Sequence, residues 1–294
     1  MIRSSMVAVL VTLMLSAISF GQSGETNLTW QLPVGRKIDV VMTQTMEMKQ
    51  KLGGKELNDM EMVSTNYMIW RVDKVDEAGI ATINSEIERM TISMDGPTGN
   101  FEIDTASEEE LEGTAAQMAE QITQLVGKNF SQTMNAQGKI LSVDMPKEVG
   151  AGNPVMTEEA ISQLIKNASP VFPDKPVAIG ETWKQASITA MPGGMGGMKI
   201  DSTYTYKGTE QLDGKSLDLI DIGMEMQFQP EENSPIKIEI TSQDTKGQMH
   251  FDSVNGLTYK IDVDQNMVME VTAGPQMIDQ VIHSRTEATF SIKE

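Results

Sequence analysis

From Ile38 to Met48 the chain reads IDVVMTQTMEM, so Ile38, Val40, Met42, Gln44, Met46 and Met48 share one side of an extended strand. Tyr67 to Val75, Ala81 to Met90, Ser202 to Tyr206, Leu217 to Phe228, Ile236 to Thr241, Leu257 to Val263 and Met267 to Val271 repeat the alternation. Between such runs lie Gly53-Gly54, Glu77-Ala78-Gly79, Asp213-Gly214 and Asn255-Gly256, residues that tolerate the positive φ of tight hairpins. Period two sustained over so much of the chain predicts long antiparallel ribbons, each with one apolar and one polar face.

Two segments have a helical period instead. Ser107 to Val126 carries a serine and acids at its start and spaces Leu111, Ala115, Met118, Ile122 and Val126 by three and four, with Gly127 placed to stop it. Thr157 to Ala168 has the same design, with Ile161, Leu164 and Ile165 as its apolar stripe. Both are expected to be amphipathic helices, at 107–126 and 157–168. Phe130 to Asp144 and Met249 to Asp262 are each a strand, a glycine turn and a strand, which suggests an internal duplication. The proline-rich stretch Ser169 to Pro176 is its natural seam. The expected fold class is mainly β with a few helices (α+β): two similar antiparallel curved-sheet or half-barrel halves, each with an amphipathic helix. The halves are placed at 22–150 and 151–294.

Residues 1–21 read as a secretory signal peptide. Arg3 supplies the positive charge, an apolar run extends from Met6 to about Leu15, and small residues follow at Ser16, Ala17, Ser19 and Gly21. The run is shorter than the roughly 20 apolar residues of a spanning helix. Cleavage is expected before Gln22, with a cut after Ser19 as the alternative. The chain has no cysteine, which excludes disulfides, thiolate sites and a lipid anchor on cysteine. The mature protein is therefore expected to be soluble in the periplasm or cell envelope and held by burial alone. Lys and Arg number 23 against 42 Asp and Glu, a formal charge of -19. Such a field repels nucleic-acid backbones and anionic lipid surfaces.

Phe172-Pro173-Asp174-Lys175-Pro176-Val177-Ala178-Ile179-Gly180-Glu181-Thr182-Trp183, with the Phe-Asp-x-x-x-Gly hairpin at Phe251 to Gly256, resembles a family of exported bacterial β-rich proteins of unknown function. The motifs are turn glycines and a packing tryptophan. The resemblance implies an envelope or periplasmic setting and carries no catalytic residue across. At the level of fold, the expected half-barrels are similar to the carriers that move lipids or lipoproteins between envelope layers.

No constellation requires a particular chemistry, so no catalytic, metal or cofactor residue is assigned. His250 and His283 are the only histidines and read as strand surface residues. Glu108-Glu109-Glu110 suits a helix start, and Asp262-Val263-Asp264 and Asp218 with Asp221 lack the spacing of a calcium loop. Pro192 to Gly197 lacks the lysine of a phosphate loop and reads as a hairpin tip. Methionine is the compositional oddity, 24 in all and often in Met-x-Met pairs such as Met46 with Met48, Met60 with Met62, Met224 with Met226 and Met267 with Met269. In a strand each pair puts both thioethers on one face. The expected function is non-enzymatic: an envelope protein binding an apolar or lipid-like ligand or an envelope partner on plastic methionine faces. The alternatives are a structural or interaction module with a fully packed core, a copper(I) site at Met191, Met195 and Met198, and a carboxylate hydrolase.

Overall fold

The computed structural model describes residues 25–97, 99–146, 157–191, 196–231, 234 and 236–293. The expected signal peptide, Met195 and the boundary at 150/151 lie outside the described residues. The twelve strands are β1 (Lys37–Leu52), β2 (Lys55–Val75), β3 (Ala81–Asp95), β4 (Phe101–Asp104), β5 (Asn129–Met134), β6 (Ile140–Asp144), β7 (Thr182–Met191), β8 (Gly196–Leu212), β9 (Lys215–Pro230), β10 (Ile236–Asp252), β11 (Leu257–Ala273) and β12 (Gln276–Ile292). The helices are α1 (Gly113–Thr123) and α2 (Glu158–Ala168).

All twelve strands join one antiparallel sheet in the order β6-β5-β3-β2-β1-β12-β11-β10-β9-β8-β7, with β4 pairing on β3. The first and last strands meet at the middle, where β1 pairs with β12 from Ile38↔Ile292 to Leu52↔Ile278. The sequence pattern reads Leu257 to Val263 and Met267 to Val271 as two strands, but β11 runs through both. Flat, the path from β6 to β7 would be about 48 Å wide at ~4.8 Å per strand. One core nevertheless holds Ile140 of β6, Ile38 of β1 and Tyr204 of β8, so the sheet is curled around it.

The centre of that core is Trp30, from the segment that precedes β1. It is 5% exposed and lies 6.4 Å from Trp70 of β2, 6.1 Å from Phe251 of β10 and 6.4 Å from Phe290 of β12. The backbone of this strap is pinned to both glycine hairpins singled out in the sequence. Trp30 N donates to Ala136 O at 2.8 Å, and Gln31 N donates to Gly256 O at 2.8 Å. The proline-rich seam is a second strap: Phe172 is buried, its N donates to Gln137 O, and it packs 4.8 Å from Phe251. Thr26 and Val177 join the two straps by reciprocal 2.9 Å backbone bonds. Trp183, the packing tryptophan of the sequence motif, stacks on Tyr204 at 5.5 Å and donates to Val171 O.

α2 forms as the sequence predicts, with the Thr157 side chain accepting from Ala160 N as its cap. Its Ile161 and Ile165 pack on Phe130 and Met145, whereas Leu164 is turned to solvent. α2 lies on both β6 and β7, the two edges of the curled sheet. Asn167 donates to Ile188 O of β7, satisfying part of an edge that would otherwise be free to pair. The helix therefore joins the two edges instead of covering the face of one half. α1 is shorter than the expected 107–126 helix. Ser107 closes a turn, its N donating to Asp104 O and its hydroxyl accepting from Glu109 N, so the three glutamates precede the helix. The chain turns at Gly113 (φ 61°), and Gly127 docks its N on Ile87 O of β3. Among the described residues no helix is long and apolar enough to cross a membrane.

Candidate functional site

The face that carries Ile38, Val40 and the Trp30 core is the inner face. Strand alternation and cross-strand register extend it well beyond that core. On β1 it continues through Met46 and Met48, opposite Met62 and Met60 of β2, while Met48 faces Ile282 and Leu52 faces Ile278 of β12 on the other side. Further round, Ile282 faces Met267 and Ile278 faces Val271 of β11, while Ile240 of β10 faces Met269. Met198 and Ile200 of β8 face Phe228 and Met226 of β9. Met267 and Met269 are buried; most of the others are half-buried, as a single sheet layer dictates.

Between these side chains stand amides and hydroxyls: Gln44, Ser64, Gln265, Gln280 and Ser284. From Ile38 to Leu52 in β1, from Asn58 to Val72 in β2, from Ile220 to Pro230 in β9 and along all of β12, no inner position is charged. The outer face holds the charge. On β11 and β12, Arg285 bridges Asp262 (2.7 Å) and Glu287 (3.0 Å), and Lys260 approaches Glu287 at 3.4 Å. Burial works against the Asp262 carboxylate, but hydrogen bonding, chiefly from Arg285, holds its pKa below the ordinary value. His283 sits between Asp264 (2.9 Å) and Glu47 (3.9 Å), and the hydrogen bond to Asp264 raises its pKa. Apolar inside and charged outside is the inverse of a membrane barrel, whose lipid-facing side is apolar.

Among the described residues the sheet has one internal split. β9 and β10 pair only from Asp218↔Phe251 to Ile222↔Gly247, although both strands run on. Beyond Gly247 the side-chain amide of Gln243 takes the place of the ladder. Its Oε1 accepts from Met226 N at 2.7 Å and its Nε2 donates to Met226 O at 3.0 Å. At the fork a cavity of about 680 Å³ opens, lined by Ile222, Gly247 and Thr245 with Asp221, Lys246, Gln248, His250, Lys260 and Asp262. Its acids are partnered, Asp221 by Lys207 (3.5 Å) and Gln248 (3.3 Å) and Asp262 by Arg285, and its His250 meets Glu210 at 3.2 Å. A second cavity of about 460 Å³ adjoins the bidentate Arg89–Asp104 pair.

The two histidines lie on the outer face as expected, but the His250 side chain is only 12% exposed and each ring meets a carboxylate. Asp218, grouped with Asp221 in the sequence, is separated from it by the fold. Asp218 is 5% exposed and accepts from Tyr206 Oη at 2.7 Å and from Ser253 Oγ, beneath the strap residue Thr26. Burial, and then the bond to Asp218, push the Tyr206 hydroxyl up to about 12. This network ties strap to sheet. Among the described residues no three His, Cys, Asp or Glu converge as metal ligands. Met191 and Met198 stand two positions apart in the β7–β8 pairing, where Met191 faces Gly196 and Met198 faces Thr189. Sequence reasoning missed Gln243 and the split, because a glutamine in an alternating strand gives no local sign of replacing a backbone ladder.

Residues 155–258 match a family of unknown function (DUF6263). Among curated proteins none matches. In three dimensions the chain is similar to lipovitellin, in a structure described for its lipid–protein interactions, with a TM-score of 0.51 and 9% identity. That match covers 90% of this chain and 26% of lipovitellin, so the chain spans about a quarter of that protein. An exported protein with a YmcC-like fold from Bacteroides fragilis NCTC 9343 has a TM-score of 0.26 and 10% identity over 91% of this chain and 99% of its own. An outer membrane channel from Pseudomonas putida F1 has a TM-score of 0.26 and 9% identity over 89% and 97%. The lipovitellin overlap supports the fold, a curled antiparallel sheet; the other two are too distant to carry an argument.

Proposed function

We propose that this protein works outside the cytoplasm, after loss of residues 1–21, as a non-enzymatic binder of an apolar, lipid-like ligand on its inner face. The observation that carries the reading is the uncharged inner face. In a chain with 22% charged residues, the alternation sends the charges outward and leaves methionine, isoleucine and amide side chains half-buried inside. Methionine suits an acyl chain of variable shape, being unbranched and polarizable. Burying a sixteen-carbon chain gains about 13 kcal/mol at ~0.8 kcal/mol per methylene, and association offsets about 5 kcal/mol of it. The remainder corresponds to micromolar affinity. Lipovitellin, which shares the curled sheet, is described by its lipid interactions, and this supports the same class of ligand here.

The test is uptake of a fluorescent fatty acid by the purified, solvent-extracted protein, with native mass spectrometry of the unextracted protein for co-purifying lipid. Ile282→Asp puts a charge on the inner face and should weaken uptake about tenfold or more, whereas Val281→Asp, one residue away on the outer face, should leave it within about twofold. Absence of both uptake and co-purifying lipid would overturn the proposal.

A further inference from the structure

An apolar ligand explains why the inner face is uncharged and rich in adaptable methionine, but it does not require that thioethers stand directly opposite one another across three strands in one corner. On β1 to β3 the closed end uses Ile38, Val72 and Ile83, while toward the β1–β2 hairpin the same face turns to methionine. Register aligns these residues. Met94 stands directly opposite Met62 and Met62 opposite Met46, in one row across three strands; Met60 stands opposite Met48 in the next. Directly opposed residues hold their Cβ atoms about 4.5–5.5 Å apart, within reach of two flexible arms that meet. Gly96 continues the β2–β3 register opposite Met60, and a Cβ there would lie 3.2 Å from Met60 Cγ, so a missing side chain leaves Met60 its room. Met48 Sδ lies on the inner face and accepts weak hydrogen bonds from the amides of Gln280 (3.7 Å) and Gln50 (3.9 Å), so it must turn from β12 toward β2 to join the other sulfurs.

We propose that Met46, Met48, Met60, Met62 and Met94 form a thioether site for copper(I). Neutral sulfur donors with no carboxylate or imidazole on the same face select soft, monovalent ions over hard ones. On the reverse of the sheet, the intervening residues Glu47, Glu61 and Asp95 are aligned in register, and their field raises the local concentration of cations. The site lies on the hairpin end of β1 and β2, away from the β7–β8 tip where the sequence alone pointed. Thioethers carry no proton near neutrality, so binding displaces only the ion's solvent or chelator and releases no proton.

The experiment is anaerobic titration of the whole purified protein with Cu(I) against a chromogenic chelator, with Ag(I) as a redox-silent repeat. Met46→Leu, Met48→Leu, Met60→Leu and Met62→Leu are combined in one variant, which keeps the apolar volume and removes the sulfur. A control carries Met224→Leu, Met226→Leu and Met267→Leu elsewhere on the face. The wild type and the control should bind both ions, the four-leucine variant should bind at least about a hundredfold more weakly, and the wild-type affinity should be unchanged between about pH 7 and 5. Fatty-acid uptake is read separately, in the wild type against Ile282→Asp, which removes no thioether, so that failure of the metal site and failure of the lipid reading are separate results. Equal binding by wild type and four-leucine variant, or a steep loss on acidification as for histidine or carboxylate ligands, would overturn the proposal.

Discussion

The strap before β1 is what closes one end of the curled sheet, and Gly256 is where that closure can be tested on a single atom. Gly256 has φ 60°, and a Cβ added there would lie 2.6 Å from Gln31 N as well as against the Gln31 side chain. The side chain could swing away, but the nitrogen cannot, because it donates to Gly256 O at 2.8 Å. Arg36 holds the neighbouring peptides of both strap and hairpin, donating to Gln31 O at 2.6 Å and to Asn255 O at 2.7 Å. Gly256→Ala therefore combines three effects. Left-handed strain costs about 1–2 kcal/mol, the lost strap bond about 1 kcal/mol, and displacement of the packing around Trp30 about 1–3 kcal/mol. Gly54→Ala is the matched control, with φ 81° and nothing within 4 Å of the new Cβ, so it should show the strain alone. The difference between the two variants is then about 2–4 kcal/mol, or roughly 4–16 °C in Tm for a chain of this size. Thermal and urea unfolding followed by circular dichroism reads it directly. Equal destabilisation by the two substitutions would refute the idea that the strap is clamped at Gly256.

Tyr206→Phe should destabilise by about 1–3 kcal/mol in chemical denaturation, because it takes a donor from the buried Asp218 carboxylate. Gln243→Ala removes both bonds to the Met226 backbone, so hydrogen exchange at the Met226 amide should quicken by about tenfold or more while the β8–β9 ladder keeps its protection. The pKa of His283 is raised by its bond to Asp264, so its stabilising contribution is full below the unfolded value of about 6.5 and is lost as pH rises through the higher folded value. The urea midpoint of the wild type should accordingly fall relative to His283→Gln between about pH 6 and 8, and a flat difference would exclude the pairing.

Much of the sheet was legible because the Ile38 to Met48 pattern is strong: inner positions are apolar or amide, outer ones polar, and glycine pairs mark the turns. The last strand was not. In β12 the outer face carries Met277 and Val281 while the inner face carries Gln280, Ser284 and Thr286, which blurs the contrast that alternation relies on. Its pairing with β1 joins the last strand to the first, more than 200 residues apart, and no local pattern encodes that. The helix at 113–123 was read too long because three glutamates next to an apolar stripe fit a first turn, whereas the fold spends them on the turn that leaves β4. The site was legible only as composition. Methionine pairs could be counted in the sequence, but which pairs oppose one another follows from the register of β1, β2 and β3.

The three closures of the curled sheet differ in strength, and this decides where its inner face can open. The strap end is held by Trp30 among three aromatic rings and by backbone bonds to both hairpins. A buried tryptophan in such a setting is worth about 3–5 kcal/mol against alanine, so this end stays shut under native conditions. The β6 and β7 edges are bridged by α2, through Ile161, Ile165 and a pair of Asn167 hydrogen bonds. The β9–β10 split, in contrast, is spanned beyond Gly247 by one glutamine amide. Two neutral hydrogen bonds contribute about 1–3 kcal/mol together. Local opening follows the least stable contacts, so fluctuations concentrate at this split, which joins the polar outer cavity to the methionine-bearing inner face. Opening at the split would widen access to the inner face from the side without unfolding the strap.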